Sequence, residues 1–201
     1  MKDILNDIMS ASGAEVSIIP VVQGEGMPKI DQDSLPDTLP ILALRNAVLF
    51  PGTVYPITIG REKSIALIEE AEKRNAFIGA VPQNDLSVED PGKEDLYKYG
   101  TVAKLVKTLE MPDGTITAIL QGYSRFEVLD IVESEPFIIG RVRYLEDYTP
   151  EEDKQTRMIA ESLKEKATSI IRGSAFVPRE AASALKSIDS FEFLVNFIAT
   201  T

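Results

Sequence analysis

The sequence predicts an α+β protein whose β part precedes its helical part. Two observations carry that reading. From Leu39 to Tyr144 the apolar residues fall in short, turn-bounded runs rich in Val, Ile, Thr, Tyr and Phe, the pattern of strands in a curled sheet or small barrel. From Thr149 the period changes to the three-and-four spacing of amphipathic helices. Residues 1–37 belong to neither pattern. They carry seven acids against Lys2 and Lys29, and Gly13, Pro20, Gly24, Gly26, Pro28 and Pro36 interrupt every periodic stretch. This reads as a flexible acidic leader, in which Ile18–Val22 could form at most an edge strand because of Pro20. Asp31-Gln32-Asp33 is no calcium loop, since Pro36 and Leu42 stand where such a loop needs Gly and Glu.

The β region is expected over 38–148. Residues 40–44 form a buried-type strand, Pro51-Gly52 a turn, and 54–59 a second strand. Pro56 confines that second strand to an edge or a bulge, because proline has no N–H for a central ladder. Ile65, Leu67, Ile68 and Ala71 then mark one embedded helix that Asn75 closes, and 77–81 returns as a strand. An acidic excursion over 82–98 follows. Strands over 100–110 and 115–121 are joined by Met111-Pro112-Asp113-Gly114, where Asp-Gly is a strong hairpin signal. Gly122 is read as a break before a strand over 126–133, and 137–144 is the last strand, with Arg141 and Arg143 on one side. The expected total is about seven strands.

The helical region is expected over 149–201. Thr149 is placed as N-cap with Pro150 at the first helical position, and Ile159, Leu163, Ala167 and Ile170 mark the face. A shorter helix is expected over 178–187. A third opens at Asp189 or Ser190 with Phe191, Leu194, Val195 and Ile198 on its apolar face. That face runs to the end of the sequence without a cap, which suggests a helical subdomain clipped from something longer.

Composition narrows function by exclusion. The chain has 201 residues, no His, Cys or Trp, and a formal charge of −11. There is therefore no Ser-His-Asp triad, thiol nucleophile, zinc finger or haem ligation by His or Cys. The negative charge opposes phosphate-backbone binding, which runs on Lys and Arg. No signal peptide pattern or membrane-length apolar run occurs, so the chain reads as cytoplasmic with no membrane partner. No phosphate loop or GxSxG elbow is present, and the Ser-Lys neighbours fall on solvated helix faces. No catalytic residue and no metal ligand set is expected within 1–201.

Recognition remains, and three features could serve it. The first is the strand–helix junction Arg61, Glu62 and Lys63, a mixed-charge cluster for which ordinary helix-start polarity is the favoured reading. The second is the set Phe50, Tyr55 and Met111 near turns, although large apolar residues usually bury. The third is the edge strand, which could take an extended peptide by strand addition.

Leu39-Pro40-Ile41-Leu42-Ala43-Leu44-Arg45-Asn46, Phe50-Pro51-Gly52, Pro56 and Gly60-Arg61-Glu62-Lys63-Ser64 closely resemble the opening of the N-terminal domain of Lon, the ATP-dependent protease family. The resemblance continues through Gly100–Ala103, Leu109, Pro112–Thr115, Gly122 and Arg125, and more loosely to Ser187–Asp189. It implies a PUA-like β pseudobarrel followed by a helical subdomain. It also implies that a parent homohexamer carries an AAA+ ATPase, with ATP and Mg, and a Ser-Lys protease outside these residues. Capture of unfolded or damaged proteins and assembly would then be the roles of this piece. A stand-alone interaction module without protease and an RNA-binding PUA-like module are the competing readings.

Overall fold

A computed structural model describes residues 30–111, 115–175, 177 and 180–200. The edge strand expected near Ile18 and the Pro112–Gly114 turn lie outside these residues. The described residues fall into two units, one ending at Asp147 and the other beginning at Tyr148.

In the first unit, Asp31 accepts from the N–H of Asp33 and opens a 3-10 turn over Gln32–Ser34, after which Leu35 is buried. Six strands follow: β1 (Thr38–Leu44), β2 (Val54–Ile59), β3 (Phe77–Pro82), β4 (Tyr99–Glu110), β5 (Ile116–Glu133) and β6 (Ile139–Tyr144). One helix, α1 (Glu62–Arg74), joins β2 to β3. Asn75 ends it in the left-handed conformation, as expected of the residue that stops a helix when no glycine is at hand.

The sheet runs β2-β5-β4-β3-β1-β6, and β6 pairs with β5 as well as with β1. Five strands thus close on one another while, among the described residues, β2 pairs only with β5. Pro56 therefore sits on an edge strand, where its missing N–H is tolerated. Leu42, Leu44, Ile57, Ile59, Leu67, Ile68 and Leu120 make one core cluster, and Leu39, Ile41, Val81, Val102, Phe126 and Val142 a second.

Among the described residues the strand count is six rather than seven, because Gly122 does not break the chain. β5 passes straight through it. A Cβ at Gly122 would lie 2.4 Å from the Phe50 carbonyl oxygen, so glycine is what lets the Phe50–Thr53 turn press against β5. The Gly52 N–H donates to the Gly122 carbonyl at 3.0 Å, and the Gly122 N–H donates to the Thr53 carbonyl at 2.9 Å. The β4–β5 hairpin forms as expected, and the Met111 N–H donates to the Thr115 carbonyl at 2.8 Å. Arg141 and Arg143 pair across strands with Asp130 and Glu127.

The second unit holds α2 (Lys154–Gly173), α3 (Glu180–Lys186) and α4 (Phe191–Thr200). The expected start at Thr149 is corrected to Asp153, whose carboxylate accepts from the Thr156 N–H at 2.7 Å and caps α2. Thr149 instead donates its hydroxyl to Glu192 at 2.5 Å. The inward face is also rotated: Ile170 is 70% exposed and Ile171 only 3%. In α4 the buried residues are Phe193, Leu194, Asn196 and Phe197, whereas Val195 is exposed.

Candidate functional site

The β1 C-terminal end, β2 and the first turn of α1 border two adjoining grooves. The larger encloses about 500 Å³ between Leu42–Ala47 and the edge strand from Tyr55 to Ile59, with Arg61 and Glu89 at its rim. The smaller encloses about 230 Å³. Its lining is apolar at Ile41, Leu67, Pro91, Phe137 and Ile138, and charged at Arg61, Glu62, Lys63, Glu89 and Asp90.

Arg61 belongs to both grooves. It is the extended residue immediately before α1, so its side chain leaves the helix end toward the 83–91 loop. Its Nη2 donates to Gln83 Oε1 at 2.6 Å and to the Val88 carbonyl at 3.4 Å. Burial, and next the charge of Arg45, pull its guanidinium below the usual arginine range. Gln83 is itself buried and organises the loop, its Nε2 donating to the carbonyls of Asp85 at 2.9 Å and Val88 at 2.8 Å. Arg45 pairs with Glu89 at 3.1 Å. Lys63 reaches Asp90 at 2.9 Å and Glu135 at 2.8 Å, and these hydrogen bonds, Glu135 first, raise its pKa.

The structure brings four of the six expected residues to this place. Tyr55 is half-buried along the larger groove, where burial raises its phenol pKa, and Glu62 is exposed beside the smaller one. Phe50 and Met111 line neither groove. The Phe50 carbonyl accepts from the Thr53 N–H and hydroxyl inside the tight turn, and Met111 is 38% exposed at the end of β4. Sequence reasoning missed Arg45, Gln83, Glu89 and Asp90. The acid-rich 82–98 segment held the usable signal, because acids facing a neighbouring cluster of cations pair with it. Among the described residues no group of acids forms a metal-binding cluster, and no helix is long and apolar enough to cross a membrane.

A family model described as the ATP-dependent protease La (LON) substrate-binding domain matches residues 38–201. The chain belongs to this family. A Lon protease from Flavobacterium johnsoniae is 43% identical over 188 residues, which is 93% of this chain and 23% of that protein. The chain thus spans about a quarter of the curated relatives' length. Two solved structures share the Lon N-terminal fold. One is a Lon N-terminal domain protein from Xanthomonas campestris, with a TM-score of 0.52 at 17% identity over 81% of this chain and 96% of that one. The other is the N-terminal domain of a Mycobacterium avium complex Lon protease, with a TM-score of 0.55 at 14% identity over 81% and 98%. The matched region is the substrate-binding region of Lon and not its catalytic domain, and the matches favour this reading over a stand-alone module or an RNA binder.

Proposed function

We propose that the paired grooves beside Arg61 capture unfolded or damaged polypeptide for an ATP-dependent Lon protease of the cytoplasm. The observation that carries this reading is the apolar lining of Ile41, Leu67, Phe137 and Ile138 rimmed by Arg61, Lys63 and Asp90. Unfolded chains expose apolar side chains that folded ones hide, and a small apolar surface with a charged rim binds them weakly and with little demand on sequence. Weak sites become useful when repeated, and assembly of the parent as a homohexamer would supply six of them. ATP, Mg and the proteolytic Ser-Lys pair would act elsewhere in that parent. The closure of the sheet through β6 supports a PUA-like pseudobarrel as the scaffold.

The test is charge reversal at both Arg61 and Lys63 in the full-length protease. Degradation of a damaged protein is expected to slow about fivefold, the scale of one lost contact, while cleavage of a short peptide is unchanged. Equal loss of both activities would assign these residues to assembly or stability and overturn the capture reading.

A further inference from the structure

Among the described residues, no strand pairs with the outer side of β2. The bond from the Gly122 N–H to the Thr53 carbonyl sets the phase of the β2–β5 ladder. With Val54 opposite Gln121, the hydrogen-bonded rungs are Tyr55–Leu120, Ile57–Ala118 and Ile59–Ile116. Val54, Pro56 and Thr58 accordingly turn their backbone groups away from β5. No strand among the described residues pairs with that side, and Pro56 falls on the phase where its missing N–H costs no rung. The free edge offers N–H donors at Val54 and Thr58 and carbonyl acceptors at Val54, Pro56 and Thr58.

The opposite wall of the larger groove has the same character. The Ile41 N–H donates to the Ile138 carbonyl, so odd-numbered β1 residues face the β6 side. Ala43 pairs with Val81 of β3 on its other side, but pairing with β6 covers only Thr38–Pro40, so among the described residues no strand pairs with the β6-facing side of Ala43, which also lines the groove. A groove walled by main-chain donors and acceptors suits a polypeptide backbone, which can pair with them at regular spacing. Its charge is unbalanced as well. Arg45 and Arg61 line it against Glu89, and Glu89 is ion-paired by Arg45; among the described residues Arg61 hydrogen-bonds the neutral acceptors of Gln83 and Val88 and meets Glu89 and Asp90 only through their charge.

We infer that the larger groove binds an extended segment of unfolded polypeptide as an added strand on the outer edge of β2, with an acidic side chain of that segment reaching Arg61. The inference rests on the capture reading and supplies its mode. Recognition through the main chain accounts for tolerance of many sequences, because every residue except proline offers the same donor and acceptor. Pro56 then acts as a gate: it withholds one donor from the middle of the edge and limits pairing with β-prone partners.

The experiment uses the 201-residue chain and a labelled peptide of six residues, the length of β2, alternating apolar and polar with one aspartate. Two further peptides carry N-methyl groups on alternate residues in the two possible phases. Methylation in the phase facing β2 is expected to weaken binding at least tenfold, and in the other phase by less than about twofold, since each blocked rung removes a net hydrogen bond. Amide exchange should slow at Val54 and Thr58 on binding. Pro56→Ala, which restores a donor, should tighten binding about fivefold. If both methylated peptides bind alike while Arg61→Glu still weakens the unmodified one, the strand mode is wrong and capture stands. If Arg61→Glu changes nothing while the methylated peptides bind alike, or if the unmodified peptide does not bind, capture falls too.

Discussion

Replacing Gly122 with alanine isolates the contact that seats β2. The added Cβ would lie 2.4 Å from the Phe50 carbonyl oxygen and 3.1 Å from its carbon, and both obstacles are backbone. The turn must withdraw until the closest contact exceeds 3.0 Å. Overpacking of this kind costs about 1–3 kcal/mol. Withdrawal also stretches the two bonds that tie Gly52 and Thr53 to Gly122, each worth about 1 kcal/mol net. The expected destabilisation is roughly 2–4 kcal/mol, read as a fall of roughly 1–2 M in the urea midpoint at unchanged slope. Gly60→Ala is the control, because nothing lies within 4 Å of a Cβ there; it should stay within about 0.5 kcal/mol of the parent. A midpoint for Gly122→Ala indistinguishable from that of Gly60→Ala would refute the close-approach argument. Because β2 hangs from β5 alone, the variant should also lose affinity for extended peptides before it loses its fold.

Two further expectations follow from buried polar groups. Thr101 donates its hydroxyl to the Leu49 carbonyl at 2.7 Å inside the core, so Thr101→Val should cost about 1–3 kcal/mol in urea unfolding by leaving that carbonyl unpaired; a neutral result would show that the carbonyl finds another partner. Glu127 is held below the usual carboxylate range first by its hydrogen bond from Lys98 and then by Arg143, so its stabilisation is present above the unfolded carboxylate pKa and lost as pH falls through the lower folded value. Glu127→Gln should therefore flatten the acid limb of the stability–pH curve and lower stability at neutral pH, which chemical denaturation at stepped pH would measure.

Much of the fold is legible in local chemistry. Pro56 announces an edge, Asn75 a helix end and Asp113-Gly114 a hairpin, because each property belongs to the residue itself. Gly122 shows where such reading stops. A glycine that ends a strand and one that admits a neighbouring turn look identical in sequence, and only the distant Phe50 distinguishes them. The faces of α2 and α4 are legible in part: Ala167 and Leu194 are buried as expected, but Ile170 and Ile171 are adjacent, so periodicity alone cannot choose which one turns inward. The site was half visible. Arg61 and Lys63 stand out at a helix start, but their partners arrive from the 83–91 loop and from Glu135, separations that no short-range pattern encodes.

The pairing of β1 with β6 ties Thr38 to Arg141, so the strand synthesised first in this unit waits for the one synthesised last. At about 5–20 residues per second, that wait lasts roughly 5–20 s on the ribosome. Until residues 139–144 emerge, β1 and β5 each present the edge that β6 will cover. A domain read as a trap for unfinished chains is itself, for those seconds, an unfinished chain of the kind it would hold.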